Sequence, residues 1–295
     1  RVQATASWNN KKIQTNVDAK GEWKLSLQTP VAGGPYSITF SDGEDLTLQN
    51  ILIGEVWFCS GQSNMEMRMM GNTAQPIDNS LETLLNAGNY RDRIRFITVP
   101  RIKDVQRRAD FKKEKWKVST PETTIDCSAT AYFFAKQITE TLNLPVGLVI
   151  NSWGGSRIES WMTEETLSSI QGIDIETAKS SKLDVRNRLG CLYDIMLWPV
   201  KNYTARGFLW YQGESNVERP EQYRMLFPEL VRTWRRYFAD DNLPFYYVQI
   251  APYNHQKVNS AIFREVQLDC MRTIPNVGMV VTLDVGEADI IHPAR

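Results

Sequence analysis

The segment Gly54-Glu55-Val56-Trp57-Phe58-Cys59-Ser60 is a strand-like apolar run that ends in Gly61-Gln62-Ser63-Asn64-Met65, a tight turn opening a helix. A strand that turns at once into a helix belongs to an α/β arrangement. The rest of the chain agrees: from Ile51 onward short apolar strands alternate with helical patterns, among them 129–142 and 221–238. Pro145 and Pro244 close the connections before the strands that follow them. This alternation predicts a parallel sheet with helices on both faces.

The elbow also carries a hydroxyl. A serine there can be lifted above the sheet edge, where a base reaches its oxygen and free backbone N–H groups of the next helix face developing negative charge. The same residues also fit an ordinary helix cap, and one turn motif does not separate the two.

Only two histidines occur, His255 and His292, so an imidazole base has two candidates. His292 lies just past the apolar run Gly278–Leu283, which reads as a buried strand, and loops leaving strand ends are where α/β sheets carry chemistry. Asp289 precedes it by three residues, a spacing that lets a carboxylate accept from the near ring nitrogen while the far one takes a proton. Asp284, Glu287 and Glu214 keep the orienting acid open. His255 lies in the polar loop 250–257 with no acid at useful spacing and reads as a surface or rim histidine.

Acyl transfer places an oxyanion beside the nucleophile, and each preorganised donor there is worth roughly 3–4 kcal/mol. The Ser63 N–H is one candidate. Val146–Ile150 reads as a strand followed by Asn151-Ser152-Trp153-Gly154-Gly155-Ser156, so Gly155 or Gly154 can bring a second donor close. Arg206–Tyr211 is strand-like too, and Gln212 or Asn216 in the Gln-Gly-Glu-Ser-Asn loop offers a third.

Taken together, Gly-Gln-Ser-Asn-Met at 61–65, Ser-Trp-Gly-Gly-Ser at 152–156, Trp-Tyr-Gln-Gly-Glu-Ser-Asn at 210–216 and Asp-Ile-Ile-His-Pro at 289–293 resemble the SGNH-hydrolase superfamily, in particular its sialate O-acetylesterase branch. The resemblance spans about residue 50 to the C-terminus. It implies a three-layer α/β/α, flavodoxin-like esterase domain over 51–295, a triad of Ser63, Asp289 and His292, an oxyanion hole of Ser63, Gly155 and Gln212, no cofactor or metal, and an acetylated sugar as substrate. The superfamily's usual Gly-x-Asn-Asp block is absent, which leaves the third donor between Gln212 and Asn216. Arg157, directly after the glycines, is placed to meet an acidic sugar's carboxylate or to pair with Glu159 or Glu55. Trp153 and Asn216 are further substrate-binding candidates. Trp153, Trp161, Trp210 and Tyr211 read first as core aromatics. Acetyl esters of sialic acid, xylan and xyloglucan all present the same acyl group; a degenerate carbohydrate-binding module is the alternative outside catalysis. A phosphate site is disfavoured, since no Gly-Lys-Ser/Thr follows the turn.

Thirty-four basic residues balance 34 acidic ones, so no electrostatic case exists for nucleic acid or an anionic membrane. No apolar run approaches the roughly 20 residues of a membrane span. No charged-then-apolar leader is visible, and a periplasmic or secreted setting rests on the resemblance alone. Cys59, Cys127, Cys191 and Cys270 lie far apart and read as buried free thiols rather than zinc ligands.

Residues 1–50 differ in texture. Trp23–Leu27 and Tyr36–Phe40 alternate like antiparallel strands, with turns at 31–35 and 41–44, and resemble part of a β-sandwich module. Residues 68–128, with the charged cluster 101–117, read as long surface connections, and 161–192 as sparse in pattern. The chain stops three residues past His292, where a hydrolase of this type is expected to continue into a final helix.

Overall fold

The computed structural model describes residues 1–104, 106–111, 114–256 and 258–295. Two sheets organise them. The first is antiparallel, in the order β2-β1-β3-β4, from β1 (Val2–Ala6), β2 (Lys12–Thr15), β3 (Gly33–Ser41) and β4 (Asp45–Ile53). Val2, Ala4 and Ala6 point inward along β1, the two-residue period of a half-buried strand. Ser41–Glu44 is the turn between β3 and β4, as expected, but Trp23–Leu27 forms no strand. That segment makes a ring contact instead of a ladder, with Trp23 against Phe40 at 5.6 Å.

Gly54 alone separates β4 from β5 (Glu55–Gly61), the central strand of the second sheet. That sheet also contains β6 (Ile94–Thr98), β7 (Lys117–Val118), β8 (Val146–Ser152), β9 (Gly207–Tyr211), β10 (Phe245–Val248) and β11 (Val277–Val280). The order is β11-β10-β9-β5-β8-β6-β7, with every pairing parallel except β6 with β7. Alternate residues of β5 serve two cores. Phe58 packs with Phe208, Trp210, Trp234 and Phe245, beneath the helices Pro220–Tyr237 and Ser260–Thr273. Trp57 and Cys59 pack with Leu148, Ile150 and Tyr132 beneath the helix Ala129–Leu142. Burial on both faces explains why β5, β8 and β9 read as continuous apolar runs.

Three differences from the sequence reading stand out. β6 is an interior strand inside a region read as surface connection, hidden because Arg95 interrupts Ile94-Arg95-Phe96-Ile97-Thr98. Arg95 is only 9% exposed, and its guanidinium donates to Asn50 Oδ1 at 3.0 Å and to the Arg91 carbonyl. The cluster 101–117 is not simply solvated, since Arg107 pairs with Asp194 at 2.6 Å and lies 4.1 Å over the Trp198 ring; Val105, Lys112 and Lys113 lie outside the described residues. The strand expected over 278–283 ends at Val280 on the sheet edge, where Val280 is 61% exposed.

All parallel strands deliver their C-terminal ends to one side, and the elbow depends on Gly61. Its φ is +139°, and a Cβ there would sit 2.2 Å from the Tyr211 carbonyl oxygen. Gly61→Ala should therefore destabilise the fold by about 2–5 kcal/mol. Urea denaturation checks this, and wild-type stability would contradict the fit. All four cysteines are buried and unpaired. Among the described residues no helix is long and apolar enough to cross a membrane.

Candidate active site

Past Gly61 the backbone N–H of Gln62 donates to the Tyr211 carbonyl at 2.9 Å, and Gln62 occupies the N-cap of the single helical turn Ser63–Glu66. Ser63 is thus the first helical residue rather than the cap. It lines a pocket of about 340 Å³ together with Glu66, Arg68, Arg101, Gly154 and His292. Nucleophile candidate and base candidate, 229 residues apart in the chain (292 − 63), face the same space.

His292 differs from expectation in its partner. Its Nδ1 is 2.8 Å from Gln75 Oε1. Among the described residues no hydrogen bond joins the ring to Asp289, which is exposed, nor to Ser63. Asp289 lies exposed in the turn closed by Ile290 N–H donating to the Glu287 carbonyl at 3.4 Å, without a hydrogen bond to the ring. An amide oxygen only accepts, so Nδ1 carries the proton and Nε2 is left to take one. Gln75 sits in a tight loop closed by paired bonds with Asn72, from Asn72 N–H to Gln75 O at 3.0 Å and from Gln75 N–H to Asn72 O at 2.9 Å. No local signal marks it: it is neutral, lies in Asn72-Thr73-Ala74-Gln75-Pro76 and is 217 residues from His292. Burial lowers the His292 pKa below its ordinary value, partly opposed by the Glu66 carboxylate. Neutral imidazole is the form that accepts a proton, so activity carried by this ring should rise with pH through a midpoint below about 6.5 and level off above it. A pH profile of kcat/KM with its acid limb above the ordinary histidine value would contradict this.

The glycine turn after β8 divides its two residues. A Cβ on Gly154 would lie 3.5 Å from Ser63 Cβ, so Gly154 is the glycine beside the nucleophile. Its N–H donates to the Glu66 carboxylate, which also pairs with Arg101. Gly155, at φ +72°, faces the Arg186 guanidinium, whose Nη1 donates to the Gly154 carbonyl at 3.0 Å. Arg186 stands in the region 161–192, whose sparse pattern carries no signal for it.

The Gln212 amide has both its hydrogens engaged, and the Asn216 amide one of them. Gln212 Nε2 gives its hydrogens to the Ser156 carbonyl at 3.1 Å and Asn216 Oδ1 at 2.7 Å. Asn216 Nδ2 donates to Glu159 Oε2 at 2.9 Å, and its Oδ1 also accepts from Ile158 N–H at 3.0 Å. Gln212 is fully buried and Asn216 almost so, and these hydrogen bonds join the loop after β9 to the loop after β8. Glu159 pairs with Arg219 and Glu55 with Arg206, and among the described residues no ion pair joins either carboxylate to Arg157. The Arg157 backbone N–H donates to Asn187 Oδ1 at 3.1 Å. Trp153 is half-buried against the core that holds Trp161 and Trp210, both fully buried, while Tyr211 lies in the core on the other face of the sheet. His255 stands apart, edge-on to Tyr253 at 5.0 Å; in its loop, Lys257 lies outside the described residues. Among the described residues no group of three or more His, Cys, Asp or Glu is arranged to hold a metal.

The profile of a family described as carbohydrate esterase, sialic acid-specific acetylesterase, matches residues 53–294. The chain is 26% identical over 341 residues to the sialate O-acetylesterase of Mus musculus, covering 96% of this chain and 62% of that one. It is 28% identical over 312 residues to that of Homo sapiens, covering 95% and 58%. The crystal structure of a carbohydrate acetylesterase from Xanthomonas citri superposes with a TM-score of 0.86 at 30% identity, over 99% of this chain and 64% of that one. The chain thus spans about six tenths of the length of these relatives.

Proposed function

The chain belongs to the sialic acid-specific acetylesterase family of carbohydrate esterases, and from that premise we propose that it is a serine esterase removing O-acetyl groups from a carbohydrate, with sialate esters as the leading substrate class. The observation that carries the reading is the shared pocket of Ser63, Gly154 and His292, with the Nδ1 of His292 held by Gln75. In this reading residues 51–295 form a three-layer SGNH-type domain, and residues 1–50 a partial β-sandwich module beside it.

Ser63 Oγ attacks the acetyl carbonyl while Nε2 of His292 takes its proton. The sugar oxygen leaves with that proton, and the acetyl group stays on Ser63. Water then attacks the acyl-enzyme with His292 again as base, releasing acetate. Ser63 N–H and the Gly154-Gly155 turn are the oxyanion donors, which requires the Glu66 carboxylate to leave the Gly154 N–H. Gln75 takes the orienting role that spacing suggested for Asp289. A neutral amide steadies the imidazolium less than a carboxylate does. Gln75→Ala should therefore slow acetate release by roughly 10- to 1000-fold, short of the ~10⁴ that loss of a triad carboxylate costs. Asp289→Asn should stay within about threefold of wild type. The reverse order of damage in steady-state kinetics would return the role to Asp289.

Acetate release from O-acetylated sialic acid, acetylated xylan and acetylated xyloglucan tests the function. Turnover of the sialate ester is expected, turnover of the plant polysaccharides alone would move the substrate class, and release from none would leave a binding module.

A further inference from the structure

Two side chains flank Ser63, and both are engaged by the loop that follows β9. Gln62 Oε1 accepts from Gly213 N–H at 3.1 Å and Ser215 N–H at 3.3 Å. Asn64 Nδ2 donates to Glu214 Oε1 and to the Ile291 carbonyl, each at 3.1 Å. Ile291 immediately precedes His292, so one amide joins the nucleophile's helix, the Glu214 loop and the histidine loop. Other ties of this segment come from elsewhere: Gln75 holds the ring, Asp78 N–H donates to the Ala294 carbonyl at 2.8 Å, Asn254 N–H donates to the Ala288 carbonyl at 2.8 Å, and Arg295 pairs with Asp78.

The Asn64 amide has both donors engaged by acceptors. Reversing it would set its Oδ1 against a carboxylate oxygen and a carbonyl oxygen at once, so its orientation is fixed by the groups it meets. Glu214 is the stronger of those groups, and it sits at a cost. It is 8% exposed, and burial pushes its carboxyl up to about 7, opposed by hydrogen bonds from Asn64 and from backbone N–H groups including that of Ala251. A carboxyl buried to that degree is an expensive way to shape a three-residue turn.

We propose that Glu214 is a positioning residue for the hydrolytic reaction, orienting the Asn64 amide so that it holds the Ile291 carbonyl and, through it, the His292 ring against Ser63. The inference rests on the Ser63–His292 reading above. Glu214 acts at one remove from the chemistry, and its loss changes the spacing of nucleophile and base rather than contacts with the sugar. Small errors in that spacing cost rate, on the order of 10² for about 1 Å, and leave binding alone.

The test compares Glu214→Gln, Glu214→Ala, Asn64→Ala and the double variant Asn64→Ala/Glu214→Ala. Two readouts are used: kcat and KM for acetate release, and the rate at which a fluorophosphonate labels Ser63. Glu214→Gln keeps an acceptor oxygen for Asn64 and should retain kcat within about threefold. Glu214→Ala and Asn64→Ala should each lower kcat about 100-fold with KM little changed. The double variant should be no slower than the worse single one, because both remove the same tie. Unchanged kcat in folded Glu214→Ala, a loss confined to KM, additive losses, or failure of Glu214→Gln to rescue would each overturn the proposal. Should Glu214→Ala not fold, a wild-type kcat in Asn64→Ala overturns it equally. Labelling separates this inference from the function: a wild type that is labelled at Ser63 but releases no acetate from any sugar rejects the esterase reading, while the labelling rates of the variants still decide the role of Glu214.

Discussion

Ser63→Ala is expected to abolish acetate release, with a fall in kcat on the order of 10⁶ and an unchanged melting temperature. The size follows from covalent catalysis: without the hydroxyl there is no acyl-enzyme, and residual turnover reflects only binding and oxyanion donors. Stability should not move, because Ser63 is partly exposed at the first position of a single helical turn and its side chain neither caps that helix nor packs in either core. The elbow is held by neighbours instead, through Gln62 and Asn64 and through Met67 N–H donating to the Ser63 carbonyl at 2.8 Å, a backbone bond that alanine keeps. Acetate release by Ser63→Ala near the wild-type rate would remove the nucleophile assignment.

The second large effect is expected from the two histidines compared. His292→Ala should lower kcat nearly as far as Ser63→Ala, since nucleophile and base act as one unit and either loss disables it. His255→Ala should leave kcat within about twofold. The His255 ring is edge-on to Tyr253 outside the Ser63 pocket, and burial and Arg264 lower its pKa, so it too is neutral near pH 7. A shared charge state with different surroundings makes the pair a clean comparison. Steady-state kinetics on both variants checks it, and greater damage from His255→Ala would mean that the pocket described here is not the reacting one.

What the sequence made legible was whatever is encoded locally. The elbow 61–65, β8 with its glycine turn, β9 with its loop and the helix Ala129–Leu142 are each written in consecutive residues, and the structure has them where the pattern placed them. Ser63 and His292 could be singled out because a serine at an elbow and one of two histidines leave few alternatives. What stayed hidden was set by long-range partners. β6 looks like a loop because Arg95 breaks its apolar run, and only Asn50 and the Arg91 carbonyl make that arginine tolerable inside. Gln75 meets His292 from 217 residues away in the chain, whereas the acid three residues away is exposed and makes no hydrogen bond to the ring. Gln212 and Asn216 looked like reactive amides in sequence. In the structure their hydrogen bonds go to Ser156 and Glu159 on the neighbouring loop. A donor's availability depends on acceptors that no window around it contains.

In the proposed reaction an acetyl group passes from a sugar oxygen to Ser63 with His292 as base. The most direct measurement is an acid quench of the wild type during turnover of an O-acetylated sugar, followed by peptide mapping by mass spectrometry. The acetyl group is expected on Ser63 alone and absent from Ser63→Ala treated in the same way. Steady turnover with no acetyl adduct in the peptide containing Ser63, or with the adduct on another residue, would contradict it.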